Sequence, residues 1–159
     1  MHKGNISTNF TWFEVEHSNE AERNGIDNSV PPELVDACQN TAVNMEFIRS
    51  FLRTPIFVTS WYRGPALQAL PQFTNPTSQH PKGEAVDFVS PKFGTPLDIT
   101  RFISQHKDTI RFDQLILEHT WVHISFASGP GAVQRKQVLS LLANKKYAVG
   151  LTDLNGVAL

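Results

Sequence analysis

With 159 residues, 40% of them apolar and 18% charged, the chain is long enough for one soluble domain with its own core. Its net charge of −1, from 14 Lys and Arg against 15 Asp and Glu, gives no electrostatic case for nucleic acid or an anionic membrane as partner. The single cysteine, Cys38, excludes an intrachain disulfide, and no apolar run approaches the roughly 18 residues of a membrane span.

Residues 1–9 are polar and expected to be loose, and MHKGNISTNFTWF lacks the apolar centre of a secretory signal, so synthesis in the cytoplasm is expected. Thr11, with Glu14 three residues on, has capping-box spacing for a short helix. Residues 18–30, with Asn-Gly and Asp-Asn turn signals, read as a loop in which Arg23 and Asn24 are solvated. The clearest helix spans 32–53. Leu34, Cys38, Thr41, Ala42, Met45, Ile48, Phe51 and Leu52 recur at helical spacing, Arg49 and Arg53 suit the negative end of the dipole, and Pro55 stops it. Cys38 inside that stripe reads as a packed thiol rather than a nucleophile.

Ile56–Ser60 reads as a strand, Trp61–Pro65 as the turn after it, and 66–79 as a long connection. Ala85–Val89 is a strand-like apolar run interrupted by Asp87. Pro96 opens a helix over 96–106, with Leu97, Ile99, Phe102 and Ile103 on its apolar side and a structural His106 at its end. Phe112–Glu118 and Trp121–Ala127, joined by His119-Thr120, form an antiparallel hairpin with Trp121, His123 and Ser125 on one face. Residues 132–146 fit a helix or a late strand equally, and the tail from Tyr147 is weakly patterned. The fold class is α+β: a small antiparallel or mixed sheet backed by the two helices, with one domain over 10–150 and a tail at 151–159.

The chemistry concentrates at three points. His80 sits in a Pro- and Gly-bearing turn, Asp87 in an apolar strand, and His123 in another. A carboxylate inside such a strand is costly unless it is paired or bound to a cation. Two imidazoles and one carboxylate are a set that holds a catalytic zinc with one position left open. The competing reading is three hydrogen-bonded core residues, since no short-spaced ligand motif such as HExxH is present.

The segment SQHPKGEAVDF, followed by WVHIS, resembles the zinc D-Ala-D-Ala metallopeptidases: bacterial DD-carboxypeptidases, the vancomycin-resistance D,D-dipeptidases and many phage endolysins. Arg23–Asn28, Tyr62-Arg63 and Phe112–Leu115 add local matches, and the resemblance covers roughly residues 10–150. It implies a hedgehog-like zinc DD-peptidase fold and one Zn²⁺ held by His80, Asp87 and His123. It also implies that Arg63 holds substrate and steadies developing charge beside the metal, with Ser78 and Tyr62 as further substrate-binding residues. The implied partner is a peptidoglycan stem peptide containing D-amino acids, with no nucleic acid and no membrane, and a monomer is favoured.

The chain departs from the family pattern twice. Leu70–Pro76 stands where the family often has an Asn and a Gly-rich segment. Thr120 occupies the position, three before the last ligand, where several branches carry the catalytic acid. Other branches place a Glu before Trp-Val-His at a less regular distance, which makes Glu118 the candidate general base. Glu84 is the alternative carboxylate, read as a solvated turn residue, and His119 reads as surface. A lone domain of this kind fits a phage lysis enzyme or virion-associated lysin acting on the cell wall. The alternatives are a non-catalytic virion or wall-binding module that keeps the fold, and a metal-free domain with buried His and Asp.

Overall fold

The long central helix sets the back of the molecule. Its apolar residues return every three or four positions, so Cys38, Thr41, Ala42, Met45, Ile48 and Leu52 are all buried along one side. In the computed structural model, which describes residues 1–73 and 75–159, this helix, α3, runs Val35–Leu52 after a 3₁₀ turn at Pro32–Leu34. Thr74, inside the predicted 66–79 connection, lies outside the described residues.

Two short helices precede it: α1 (Trp12–Glu16), closed by the expected Thr11–Glu14 capping box, and α2 (Asn19–Arg23). The second corrects the loop expected over 18–30. Ser18 caps it by accepting from the Ala21 N–H, and an exposed Arg23–Glu20 ion pair spans one turn. After α3 come β1 (Phe57–Ser60), α4 (Pro65–Gln68), β2 (Ala85–Val89), α5 (Pro96–Gln105), β3 (Gln114–Leu117), β4 (Val122–Ser125), β5 (Gln137–Leu141) and β6 (Tyr147–Val149). Thr95 and Asp98 close a second capping box on α5, with Pro96 in its first turn. His106, at its end, is bonded to the Phe102 carbonyl and packs on Phe51 and Phe102, as a structural residue should.

Among the described residues, six strands form one sheet in the order β1-β2-β4-β3-β5-β6. Every pairing is antiparallel except β3 with β5. The expected hairpin is β3–β4, and residues 137–141, left open between helix and strand, are β5. Alternation along the strands divides the sheet into two faces. Val86, Phe88, Leu115, Val122 and Ile124 face the core with Met45, Ile48, Ile99 and Ile103 from the helices. Asp87 and His123 stand opposite each other on the other face.

The chain ends are tied down by specific bonds. Glu46 on α3 accepts from Ser7 and Asn9, and buried Glu16 accepts from His2 and the Val30 N–H. The segment 151–159 loops back through a Thr152–Ala158 bridge, and the Thr152 N–H donates to Ser140.

The turn that bears His80 is mounted on α3. Gly83 closes it at φ +70°, and the Gly83 carbonyl accepts from both Thr41 and the Trp61 indole. A Cβ at Gly83 would meet the Cys38 sulfur at 2.5 Å. Gly83→Ala is therefore expected to cost about 2–4 kcal/mol, from left-handed strain plus overpacking. In a thermal melt this reads as a fall of roughly 5–15 °C. The same change made on a Cys38→Ala background is expected to cost clearly less. Cys38 itself is fully buried, and burial pushes its thiol up to about 12, consistent with a packing role.

Candidate metal centre

Three chain segments deliver three ligand-type side chains to one point. β2 pairs with β4 in a register that sets Asp87 across from His123, and the 3₁₀ turn at His80–Lys82 drops His80 onto the same carboxylate. His123 Nδ1 lies 2.8 Å from Asp87 Oδ1, and His80 Nε2 lies 3.3 Å from Asp87 Oδ2. The two rings meet edge-on, with centroids 5.1 Å apart. One ligand atom from each residue can be chosen so that all lie within 4.8 Å of one another, and all three residues are nearly buried.

The electrostatics keep the set ready for a cation. Burial alone would raise the Asp87 carboxyl, but the two imidazoles beside it hold it well below the usual carboxylate range. Burial pushes His80 below its ordinary value despite the Asp87 charge, which leaves the ring neutral at physiological pH. His80 Nδ1 donates to the Trp61 carbonyl at 2.6 Å, so the tautomer that leaves Nε2 free for a metal is the one the fold selects. The donor set, two imidazoles and one carboxylate, is of the kind that holds zinc with one position left open.

The support around the turn is polar and specific. Gln79, next to His80, is buried and donates to Glu84, and its amide oxygen faces Arg135, which grips Asp113. Glu84 is not the solvated turn residue expected. It is 7% exposed and accepts from Gln79 and from both donors of Ser128, so its carboxylate is committed to holding the turn.

The other predicted residues divide. Arg63 is half-buried beside the centre, and its guanidinium lies 4.1 Å from the Phe73 ring centroid with Nη1 donating to Gln68. Burial lowers its pKa, and the Asp87 charge opposes that shift. Its backbone N–H donates to the His80 carbonyl, so the two turns are joined. Ser78 is half-buried, and its hydroxyl accepts a long bond from the His80 N–H.

Tyr62 is not brought to the site. It is 3% exposed within the core cluster, where burial and the neighbouring Cys38, Glu33 and Glu16 raise its phenol, so it offers no surface to a substrate. Glu118 follows β3, and its N–H donates to the Trp121 carbonyl, which places its side chain on the same face as His123 two residues further on. Burial raises its carboxyl first of all, with the Asp87 charge adding and His123 opposing. Thr120 is exposed in the tight turn around His119, which has φ +62°. His119, expected at the surface, is half-buried with Nε2 bonded to the Leu141 carbonyl.

The family model described as Peptidase M15 matches residues 8–125. The chain belongs to the peptidase M15 family. M15 peptidases are zinc-dependent and act on peptidoglycan-type substrates, among them the D-Ala-D-Ala carboxypeptidases. The α+β fold with its mixed sheet is compatible with an M15 peptidase, and among the described residues no helix is long and apolar enough to cross a membrane. No curated protein and no solved structure matched the chain.

Sequence reasoning missed Gln68 and Phe73, which brace Arg63, and Gln79, which braces His80. They lie in or beside the 66–79 connection, whose composition carries no periodic signal.

Proposed function

We propose that this M15 chain is a zinc peptidase that cleaves bonds involving D-amino acids in bacterial wall stem peptides, as a phage endolysin or virion-associated lysin does. Residues 10–150 form its catalytic domain, on the hedgehog-like scaffold of the zinc DD-peptidases. The observation that carries the reading is the convergence of His80, Asp87 and His123, from three separate segments, on one buried point. These three hold one Zn²⁺. When bound, the ion supplies a Lewis acid that polarises the scissile carbonyl and makes water nucleophilic near neutral pH.

The protein's own groups do the rest. Glu118 stands on the same sheet face and takes the proton of the attacking water, then returns it to the leaving amine. Its buried setting raises its basicity toward the range such a base needs. Arg63, held over the Phe73 ring, presents a half-buried cation to the substrate carboxylate or to the charge that develops on the carbonyl oxygen. Ser78 borders the same turn and lines the substrate side. The stem peptide meets a single protein chain, acting outside the membrane on the wall.

The exposed Thr120 favours one second reading, a wall-binding or virion module that has lost turnover. Purified peptidoglycan separates the two. Zinc-supplemented protein is expected to release new amino groups from the wall, and a chelator should stop the release until zinc is restored. Wall binding with no amino-group release at any zinc concentration would overturn the peptidase reading.

A further inference from the structure

The row of residues that runs across the sheet beyond Glu118 is the most informative part of the molecule outside the ligand set. Leu117 pairs with Ser140 in the parallel β3–β5 ladder, so Glu118 comes abreast of Leu141. Leu141 pairs with Tyr147 across β5–β6. Directly paired residues point to the same face of a sheet. Asp87, His123, Ile116, Leu139 and Val149 form one such row, and Trp121, Glu118, Leu141 and Tyr147 form the next row on that face. Tyr147 is 45% exposed, so about half of it is covered. The bond from His119 Nε2 to the Leu141 carbonyl ties the residue after Glu118 to β5.

We propose that Tyr147 is a positioning residue for Glu118: its phenol O–H donates to the Glu118 carboxylate and holds it aimed at the ligand cluster. The inference rests on the reading of Glu118 as the base. A glutamate at a strand end has three free torsions, and without a tether its carboxylate spends little time in one place. The phenol is suited to be that tether. Burial, then the charges of Glu118 and Asp87, push it up to about 12, so it stays protonated and able to donate at every working pH. Lys145, in the turn before β6, adds a cation that favours the ionised form of Glu118. The strand pair β5–β6 thereby becomes one wall of the site rather than a trailing edge of the sheet.

The chain has two tyrosines, which makes the contact visible without activity. In zinc-free protein labelled with ¹³C at the tyrosine Cζ, Tyr147→Phe assigns the two resonances. Glu118→Gln is then expected to shift the Tyr147 resonance and leave that of buried Tyr62 in place. On soluble muropeptides released from purified walls, Tyr147→Phe with full zinc content should lower kcat roughly tenfold to a hundredfold, as misplacement of a reacting group does, with KM changed less than twofold. An unshifted resonance, an undiminished kcat, or a loss seen mainly in KM each overturns the proposal. Hydrolysis left intact by Glu118→Gln would overturn the base reading as well. If Glu118→Gln is inactive while Tyr147→Phe matches the native protein, the Tyr147 inference alone falls.

Discussion

His80→Ala, Asp87→Ala and His123→Ala proteins are each expected to lose tightly bound zinc and to hydrolyse purified walls on the order of 10³-fold more slowly or worse. The size follows from what is removed. The ion contributes several kcal/mol to the transition state, and each 1.4 kcal/mol is about tenfold in rate. Elemental analysis and amino-group release measure the two losses separately. The three variants should differ when zinc-free. His123→Ala leaves the buried Asp87 carboxylate without its 2.8 Å partner, which costs about 1–3 kcal/mol as an unpaired acceptor. Asp87→Ala leaves two rings, of which His80 keeps its bond to the Trp61 carbonyl. Zinc should raise the melting temperature of the native protein and of none of the three. Wall hydrolysis that survives in all three variants would remove the metallopeptidase reading.

Glu118→Gln is expected to keep its zinc and still lose 10²-fold or more in rate, roughly the worth of a general base. The substitution preserves shape and removes only the ability to accept a proton. A wall-binding module would show the opposite pattern, with full retention on pelleted walls and no turnover to lose. Full activity in Glu118→Gln would send the search for a base elsewhere on the same face. Glu84 is a poor second choice, because Gln79 and Ser128 already occupy its carboxylate.

The parts of the molecule that could be read from its residues are those governed by local rules. The stripe from Cys38 to Leu52 gave α3, Thr11 and Glu14 gave the cap of α1, and the short link at His119-Thr120 gave the β3–β4 hairpin. The convergence of His80, Asp87 and His123 was legible because polar residues inside apolar strands demand a partner, and a family pattern pointed to the partners. What stayed hidden depended on distant pairing or on very short elements. The five residues of α2 are too few for periodicity to show. Parallel pairing of β5 with β3 joins residues 23 apart, Gln114 and Gln137 among them, and nothing local signals it. Tyr62 beside Arg63 looked like a site residue, yet the turn sends its ring into the core. Tyr147 was invisible because only the two intervening strand registers bring it into line with Glu118.

The register of β2 on β4 bears on the order in which the molecule is built. Asp87 meets His123 only after a loop of 36 residues has closed around the α5 crossover and β3 has settled beside β4. His80 arrives separately, carried by its seat on α3. Such non-local closures come late and slowly in folding. A cation that needs all three residues therefore has no foothold in the half-formed chain. Under the zinc reading, the ion would act as a bolt slid home after assembly, slowing the way out of the native state while leaving the way in nearly unchanged.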